Sequence, residues 1–144
     1  MQKLLLSEQD RQLIDEAMTT LRSNFDDRVH DHRVAAALRC KNGKVYTGIN
    51  CDCIHGSCAE FVAIGAAISA GERSFDTIVA VHEQAHNHVI APCGNCRQML
   101  FDYCPDIMVI LNDEYGKIVK AGICDLLPLP YRNTWRDSSD QGEK

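Results

Sequence analysis

The stretch CAEFVAIGAAISAG, residues 58–71, is apolar over nearly its whole length, contains no proline and ends on glycine. This pattern predicts a largely buried helix that ends at Gly71, because glycine suits the left-handed conformation that often follows a helix. A buried helix of this length must be covered by a sheet or by other helices. The segments on either side of it therefore decide the fold.

Strand patterns precede and follow this helix. Residues 34–40 and 44–50 predict two strands joined at an Asn-Gly turn, which is the strongest short signal for a hairpin. Later in the chain, β-branched runs predict strands at 75–83, 107–113 and 117–122, whereas 87–91 is expected to form a loop.

Helical spacing predicts two further helices, over residues 7–25 with Ser7 as the cap and over residues 93–104, and one turn of helix after Cys124. Helices that alternate with strands after a hairpin indicate an α/β fold, a three-layer α/β/α sandwich with a mixed sheet.

The chain has 144 residues, which fits one domain, predicted to span residues 1–135 before a polar, disordered tail at 136–144. No apolar run reaches membrane length and the start lacks the apolar core of a signal peptide, so we expect a cytoplasmic chain without a membrane partner. The net charge of -5 and the scattered Lys and Arg argue against a nucleic-acid partner. Eight cysteines in a cytoplasmic chain are expected to be reduced.

Two of these cysteines lie three residues apart in the run PCGNC, residues 92–96. Proline suits a helix start, and Cys93 and Cys96 then share one side of that helix. One metal ion can bind both, and the helix N-terminus favours the thiolate that metals bind. Core cysteines and a redox pair are the alternatives that this spacing alone leaves open.

A third thiol begins the apolar helix, in the run Cys58-Ala59-Glu60. Cys58, Cys93 and Cys96 together supply the three protein ligands of a catalytic zinc site, which keeps its fourth position for water. A carboxylate at Glu60 then has a role beside the metal, since it can take a proton from water and pass it to a substrate.

The combination of C-A-E with P-C-x-x-C resembles the zinc-dependent cytidine deaminase family. The resemblance extends from about His32 to about Trp135 and includes TGIN at 47–50 and LLP at 126–128. Within the family, the short loop from Asn50 to Cys58 and a tail with Tyr131 and Trp135 look most like the blasticidin S deaminase branch.

The resemblance implies Zn²⁺ on Cys58, Cys93 and Cys96, with Glu60 as the proton shuttle and not a ligand. It also implies a three-layer fold, a homotetramer, and deamination of a free cytosine nucleoside or of an analogue such as blasticidin S. A non-catalytic zinc protein is the competing class. The expected substrate contacts are Asn50, Asp52, Ala59, His32 and Tyr131.

The expected substrate contacts differ in how closely they follow the family pattern. Asn50 and Asp52 stand where the family's N-x-E holds a ribose, with glutamate shortened to aspartate, although both also suit an ordinary turn. His32 stands where the family commonly has an aromatic residue near the base. The family usually has arginine after the glutamate, but Phe61 stands there, and Arg97 is the candidate to offset the thiolate charge.

Other cysteines and histidines have plainer interpretations. Cys51 and Cys53 could join a closed four-cysteine zinc site, but that site would give Glu60 no role. We expect the remaining thiols to be buried in the core and three histidines to lie in or beside a loop; these residues are Cys40, Cys104, Cys124, His82, His86 and His88.

Overall fold

The computed structural model describes residues 1–29 and 31–133, so Trp135 and the predicted tail at 136–144 lie outside the described residues. The helices are α1 (Glu8–Asn24), α2 (Ala59–Ser69), α3 (Gly94–Tyr103) and α4 (Ile123–Leu126). The strands are β1 (Val34–Cys40), β2 (Val45–Ile49), β3 (Phe75–His82), β4 (Val89–Ile90), β5 (Met108–Asn112) and β6 (Ile118–Gly122). None of the described helices combines the length and the apolar character needed to cross a bilayer.

The strands form one mixed sheet in the order β2-β1-β3-β5-β6, and β4 pairs with β3. β3 and β5 are parallel, whereas the other strand pairs are antiparallel. Helix α1 packs on one face of the sheet, and helices α2, α3 and α4 contribute to the core on the other face. The predicted three-layer α/β/α sandwich with a mixed sheet is confirmed.

Alternation along β1 shows why one strand can serve both layers. Ala35 and Ala37 pack with α1, whereas Ala36 and Leu38 pack with the cluster that contains α2 and α3. Successive side chains of a strand point to opposite faces, so the part of β1 that is covered on both faces, residues 35–38, is apolar at each position. The small alanines let both helical layers approach the sheet closely.

Strand β4 was not expected, because residues 87–91 were predicted to be a loop. Val89 and Ile90 pair antiparallel with Val81 and Ala80, and the backbone N–H of His82 donates to the carbonyl of His88 at 2.8 Å. Two residues are too few to show a strand period. The pairing nevertheless directs the chain from β3 back toward the start of α3.

A buried ion cluster fixes α1 to the sheet. Ser7 caps the helix in a capping box with Asp10. The Asp10 carboxylate is fully buried and accepts hydrogen bonds from Arg39 of β1 at 2.9 Å and from Lys120 of β6 at 2.8 Å. Burial by itself would raise the pKa of Asp10, but the hydrogen bonds from Lys120, Ser7 and Arg39 lower it from 3.8 to about 2.

We expect Asp10→Ala to lower the free energy of unfolding by about 3 kcal/mol, the lower end of what losing one partner of a buried ion pair costs. Wild-type stability should also fall as pH falls from about 4 to about 2. In that window the unfolded carboxyl takes up a proton that the folded carboxyl does not. Urea titrations at neutral and acidic pH measure both effects, and the acid-dependent part should be smaller in the variant.

Asp76→Ala is the matched control, because Asp76 pairs with the same Arg39 but its side chain is 43% exposed. This variant should lose less than about 1 kcal/mol. An equal loss in the two variants would show that burial of Asp10 does not set the strength of the cluster.

Candidate active site

Two of the three predicted thiols sit at helix starts. Cys58 is the N-cap residue of α2, and Cys93 is the N-cap residue of α3. The Cys93 sulfur also accepts a hydrogen bond from the backbone N–H of Cys96 at 3.5 Å. Unpaired N–H groups and the helix dipole favour negative charge at both positions. Local sequence therefore places both sulfurs at helix starts, and at Cys93 the hydrogen bond from Cys96 stabilises the thiolate further.

The fold brings the two helix starts together. The sulfur atoms of Cys58, Cys93 and Cys96 all lie within 4.8 Å of one another, and Cys58 Sγ is 3.8 Å from Cys93 Sγ. Cys96 is buried, Cys58 is half-buried and Cys93 is exposed. In the described ranges 1–29 and 31–133, this is the one group of three potential metal-ligating side chains.

Without a bound cation, the electrostatics of this cluster disfavour three thiolates side by side. Burial raises the pKa of Cys58 and, more strongly, that of Cys96. Burial acts on Cys93 too, but hydrogen bonds from the Cys96 backbone and from the neighbouring sulfurs outweigh it and lower the pKa of Cys93. A divalent cation would compensate the charge of three thiolates, and soft sulfur ligands converging in this way fit Zn²⁺.

Glu60 lies beside the cluster in the first turn of α2 and is only 5% exposed. Burial raises the pKa of its carboxyl above the ordinary value of 4.5. A buried carboxyl with a raised pKa holds a proton more readily than an exposed one, and general acid-base catalysis requires a group that can both accept and return a proton. The position is therefore suited to moving protons next to a metal.

A glycine allows α2 to approach the sheet at this point. A Cβ atom at Gly48 of β2 would lie 2.5 Å from the backbone nitrogen of Ala63 and 2.7 Å from the carbonyl oxygen of Ala59. Any side chain there would collide with helix backbone, which cannot move independently of the helix. Gly48, in the TGIN run, thus sets the depth at which Cys58 and Glu60 enter the site.

A cavity of about 500 Å³ opens next to the thiols. Its lining includes Cys58, Cys93 and Glu60, together with the predicted substrate contacts Asn50, Asp52 and Ala59. The remaining lining residues are Val34, Cys51, Cys53, Gly56, Ser57, Ile90 and Ala91. This volume lies in the range of cavities that bind small molecules.

The aliphatic wall of this cavity, formed by Val34, Ile90 and Ala91, was not predicted from the sequence. Ile90 belongs to strand β4, which has only two residues, and so short an apolar run does not predict a strand. The exposed Cys51 and Cys53 do line the cavity, yet they lie outside the cluster of three sulfurs.

Asn50 and Asp52 form a hydrogen-bonded pair on the cavity wall. The Asn50 side-chain amide donates to Asp52 Oδ1 at 3.0 Å, and the Asn50 side-chain oxygen accepts from the backbone N–H of Val34 at 3.0 Å. The other oxygen of Asp52 accepts from the backbone N–H of His32 at 2.8 Å. Both side chains are therefore held in place before any ligand arrives.

His32 and Tyr131, the other two predicted substrate contacts, are not among the residues that line the cavity. His32 forms hydrogen bonds with Asp52 and with the Asn50 carbonyl. Tyr131 is 72% exposed, and its backbone exchanges hydrogen bonds with the side chain of Gln98. Both assignments stay predictions.

Arg97 follows Cys96 but its side chain is directed at backbone oxygens. Its Nε donates to the carbonyl of Pro92 and its Nη1 to the carbonyl of Leu126, both at 2.9 Å. These bonds anchor the residue before Cys93 to the end of α4. The suggestion that Arg97 offsets the thiolate charge also stays a prediction.

The cysteines and histidines that were assigned no role in the site mostly lie where expected. Cys40 and Cys104 are buried, but the prediction for Cys124 was wrong, because it is exposed and its thiol donates to the carbonyl of Pro105. His82, His86 and His88 lie in or beside the β3–β4 turn. His82 accepts from the backbone of Gln84, and His88 bonds the His82 carbonyl.

Comparison with known proteins agrees with this geometry. Residues 7–112 match the family model described as "Cytidine and deoxycytidylate deaminase zinc-binding region". The chain belongs to this deaminase family. It is 37% identical over 135 residues to a blasticidin-S deaminase of Bacillus cereus, a match that covers 88% of this chain and 94% of the relative.

The chain is also similar to cytidine deaminases. That of Halalkalibacterium halodurans is 36% identical over 100 residues, which covers 67% of this chain and 74% of the relative. The crystal structure of the cytidine deaminase from Burkholderia pseudomallei superposes with a TM-score of 0.71 at 31% identity. That match covers 88% of this deaminase and all of the Burkholderia chain.

The family and the site together establish the chemistry at a coarse level. This chain is a zinc-dependent deaminase of the cytidine deaminase type, and its cofactor is Zn²⁺. Cys58, Cys93 and Cys96 would hold the ion, and bound Zn²⁺ would supply the activation of water, whose pKa it lowers toward ~7. The predicted family, fold class and cofactor are confirmed.

Proposed function

We propose that this deaminase converts a free cytosine nucleoside, cytidine or deoxycytidine, to the uracil nucleoside with release of ammonia. The observation that carries the proposal is that Asn50 and Asp52 line the same cavity as Glu60 and the sulfurs. If the cytosine base binds near the sulfurs, the sugar of the nucleoside extends toward Asn50 and Asp52. Hydroxyl groups of a ribose match a carboxylate acceptor and an amide.

In this proposal the residues divide the work. Cys58, Cys93 and Cys96 hold Zn²⁺, whose chemistry is the activation of water. Glu60 would take one proton from the attacking water and deliver it to N3 of the pyrimidine. It would then take the proton of the new C4 hydroxyl group and deliver it to the amino group, which leaves as ammonia while the C4 carbonyl forms. Asn50 and Asp52 bind the sugar, and Ala59 lies against the substrate where α2 begins.

The charge of the cavity favours a nucleoside over a nucleotide. Among the described lining residues, Asp52 and Glu60 are acidic and none is a lysine, arginine or histidine. A 5′-phosphate would enter without a cationic partner and close to carboxylates and thiolates, which costs binding energy. Cytidine should therefore react faster than cytidine monophosphate.

One experiment tests the proposal and its competitor. Purified protein is incubated with cytidine, deoxycytidine, cytosine, 5-methylcytidine, cytidine monophosphate and blasticidin S. Ammonia release and the fall of cytosine absorbance are followed together. Turnover of cytidine or deoxycytidine supports the proposal, whereas turnover of blasticidin S alone contradicts it.

We expect Asp52→Ala to lower kcat/KM for cytidine about 10- to 100-fold, which corresponds to losing a hydrogen bond to a charged group. Cytosine, which has no sugar, should react equally with wild type and variant. Asp15→Ala, at an exposed position of α1, is the control and should match wild type. An unchanged rate of Asp52→Ala with cytidine would make Asp52 an ordinary turn residue.

Blasticidin S is the second candidate substrate. It is favoured by the similarity to the Bacillus cereus blasticidin-S deaminase, which extends over 135 residues rather than over the motifs alone. The acidic, cation-free cavity also suits an analogue that carries a basic group. We retain cytosine nucleosides as the first proposal because Asp52 keeps a carboxylate at the sugar position.

We also propose that the enzyme is a homotetramer that works in the cytoplasm, where three zinc-binding thiols stay reduced. Helix α2 supports this assembly, because it is apolar nearly all round and Phe61, Val62 and Ile68 are only half-buried within one chain. Size-exclusion chromatography with light scattering should give four times the mass of the chain at micromolar concentration. A monomer would contradict the tetramer.

A further inference from the structure

His32 is held in an uncommon conformation next to the cavity. Its φ of +60° is in the left-handed region, which residues with a Cβ atom seldom adopt. Left-handed positions are strained for L-residues and persist where surrounding contacts impose them. The contacts of His32 therefore show which interactions hold it in this conformation.

Two hydrogen bonds tie His32 to the Asn50–Asp52 pair. Its backbone N–H donates to Asp52 Oδ2 at 2.8 Å, and its ring Nδ1 lies 2.9 Å from the carbonyl oxygen of Asn50. Since a carbonyl only accepts, Nδ1 carries the proton in this arrangement. His32 thus donates through its backbone to the Asp52 side chain and through its ring to the Asn50 backbone, and it does not line the cavity itself.

The orientation of the Asp52 carboxylate depends on these contacts, because the side chain is exposed and no packing holds it in place. Its Oδ1 accepts from Asn50 and its Oδ2 from His32, so the two donors fix the carboxylate on both sides. The charged residues among the described cavity lining are Asp52 and Glu60, so no lining cation performs this task. Because the His32 donor is a backbone N–H, it reaches Asp52 Oδ2 only while residue 32 keeps its left-handed conformation, and a change of that conformation would free one side of the carboxylate.

We infer that His32 is a positioning residue for the sugar subsite: it orients the Asp52 carboxylate toward the substrate sugar without touching the substrate. This inference rests on the proposed nucleoside activity. It also changes the role that the sequence suggested for His32, which was a contact near the base.

Two variants of His32 separate its contributions. His32→Val removes the ring donor, and its β-branched side chain resists a left-handed backbone. His32→Asn is the conservative control, since asparagine tolerates this backbone and its amide nitrogen can donate from nearly the place of Nδ1.

His32→Val should raise KM for cytidine about tenfold, the equivalent of one ordinary hydrogen bond, and leave kcat within about threefold. His32→Asn should stay within about threefold of wild type in both constants. With cytosine as substrate, all three proteins should behave alike, and zinc content should not change.

A double-mutant cycle distinguishes positioning from a general structural role. If His32 acts through Asp52, adding His32→Val to Asp52→Ala should have no further effect on KM for cytidine. Additive effects, a failure of His32→Asn to restore KM, or an equal defect with cytosine would each overturn the inference.

The inference remains testable if the wild-type enzyme turns over none of the nucleosides, which would refute the proposed function instead. Crystal structures of wild type and His32→Val then decide. Displacement of the Asp52 carboxylate from its wild-type position supports positioning by His32. An unmoved carboxylate overturns it.

Discussion

Glu60→Gln should lower kcat at least ~10²-fold and leave one zinc ion bound per chain. The reason is that the metal and the proton transfer depend on different residues. Three sulfurs converge on a metal position, and Glu60 lies beside them as a buried carboxyl with a raised pKa. Glutamine has nearly the same shape and fills the same space, but it cannot accept and return a proton. Steady-state kinetics with the best substrate, together with metal analysis, measure both expectations.

Glu72→Gln provides the matched control for this experiment. Glu72 is a carboxylate just beyond α2 that accepts hydrogen bonds from Asn42 and Tyr46, and it does not line the cavity. It should keep wild-type kcat even if stability changes. Full activity of Glu60→Gln would falsify the proton-transfer role, and loss of zinc from that variant would mean that Glu60 supports the metal as well.

The sequence predicted the parts of the site that local rules control. A cysteine at a helix start is visible as an N-cap, and a C-x-x-C spacing places two thiols on one helix side, so both halves of the cluster could be predicted separately. Two arguments joined Cys58 to Cys93 and Cys96: a catalytic zinc site needs three protein ligands, and the motif resembles the family signature.

The same rules could not predict contacts that depend on tertiary packing. The bonds from His32 to Asp52 and to the Asn50 carbonyl join residues 18 to 20 positions apart. The strain at His32 is visible only as a backbone angle. Arg97 illustrates the converse error, since proximity in sequence to Cys96 suggested a partner, while the helix turns its guanidinium toward the carbonyls of Pro92 and Leu126.

Cys93→Ala and Cys96→Ser should each weaken zinc binding by more than ~10²-fold, because losing even a residue that only supports a ligand costs 10- to 100-fold. Both variants should also unfold more easily, since a metal that binds only the folded chain stabilises it by about 4 kcal/mol at a thousandfold excess over its Kd. Cys93→Ala is the cleaner variant: Cys93 is exposed, so its truncation leaves no core cavity, whereas Cys96 is buried. Metal analysis and thermal unfolding with and without added zinc measure these effects.

Cys51→Ser and Cys53→Ser are the matched controls for the thiol variants. Both cysteines are exposed and line the same cavity, but their sulfurs lie outside the cluster of three. They should keep one zinc per chain and the wild-type response of unfolding temperature to added zinc. If either control empties the site, the metal is held by a different set of thiols. A closed four-cysteine site would then explain the result, and it would leave no open position at the metal for water and no task for Glu60.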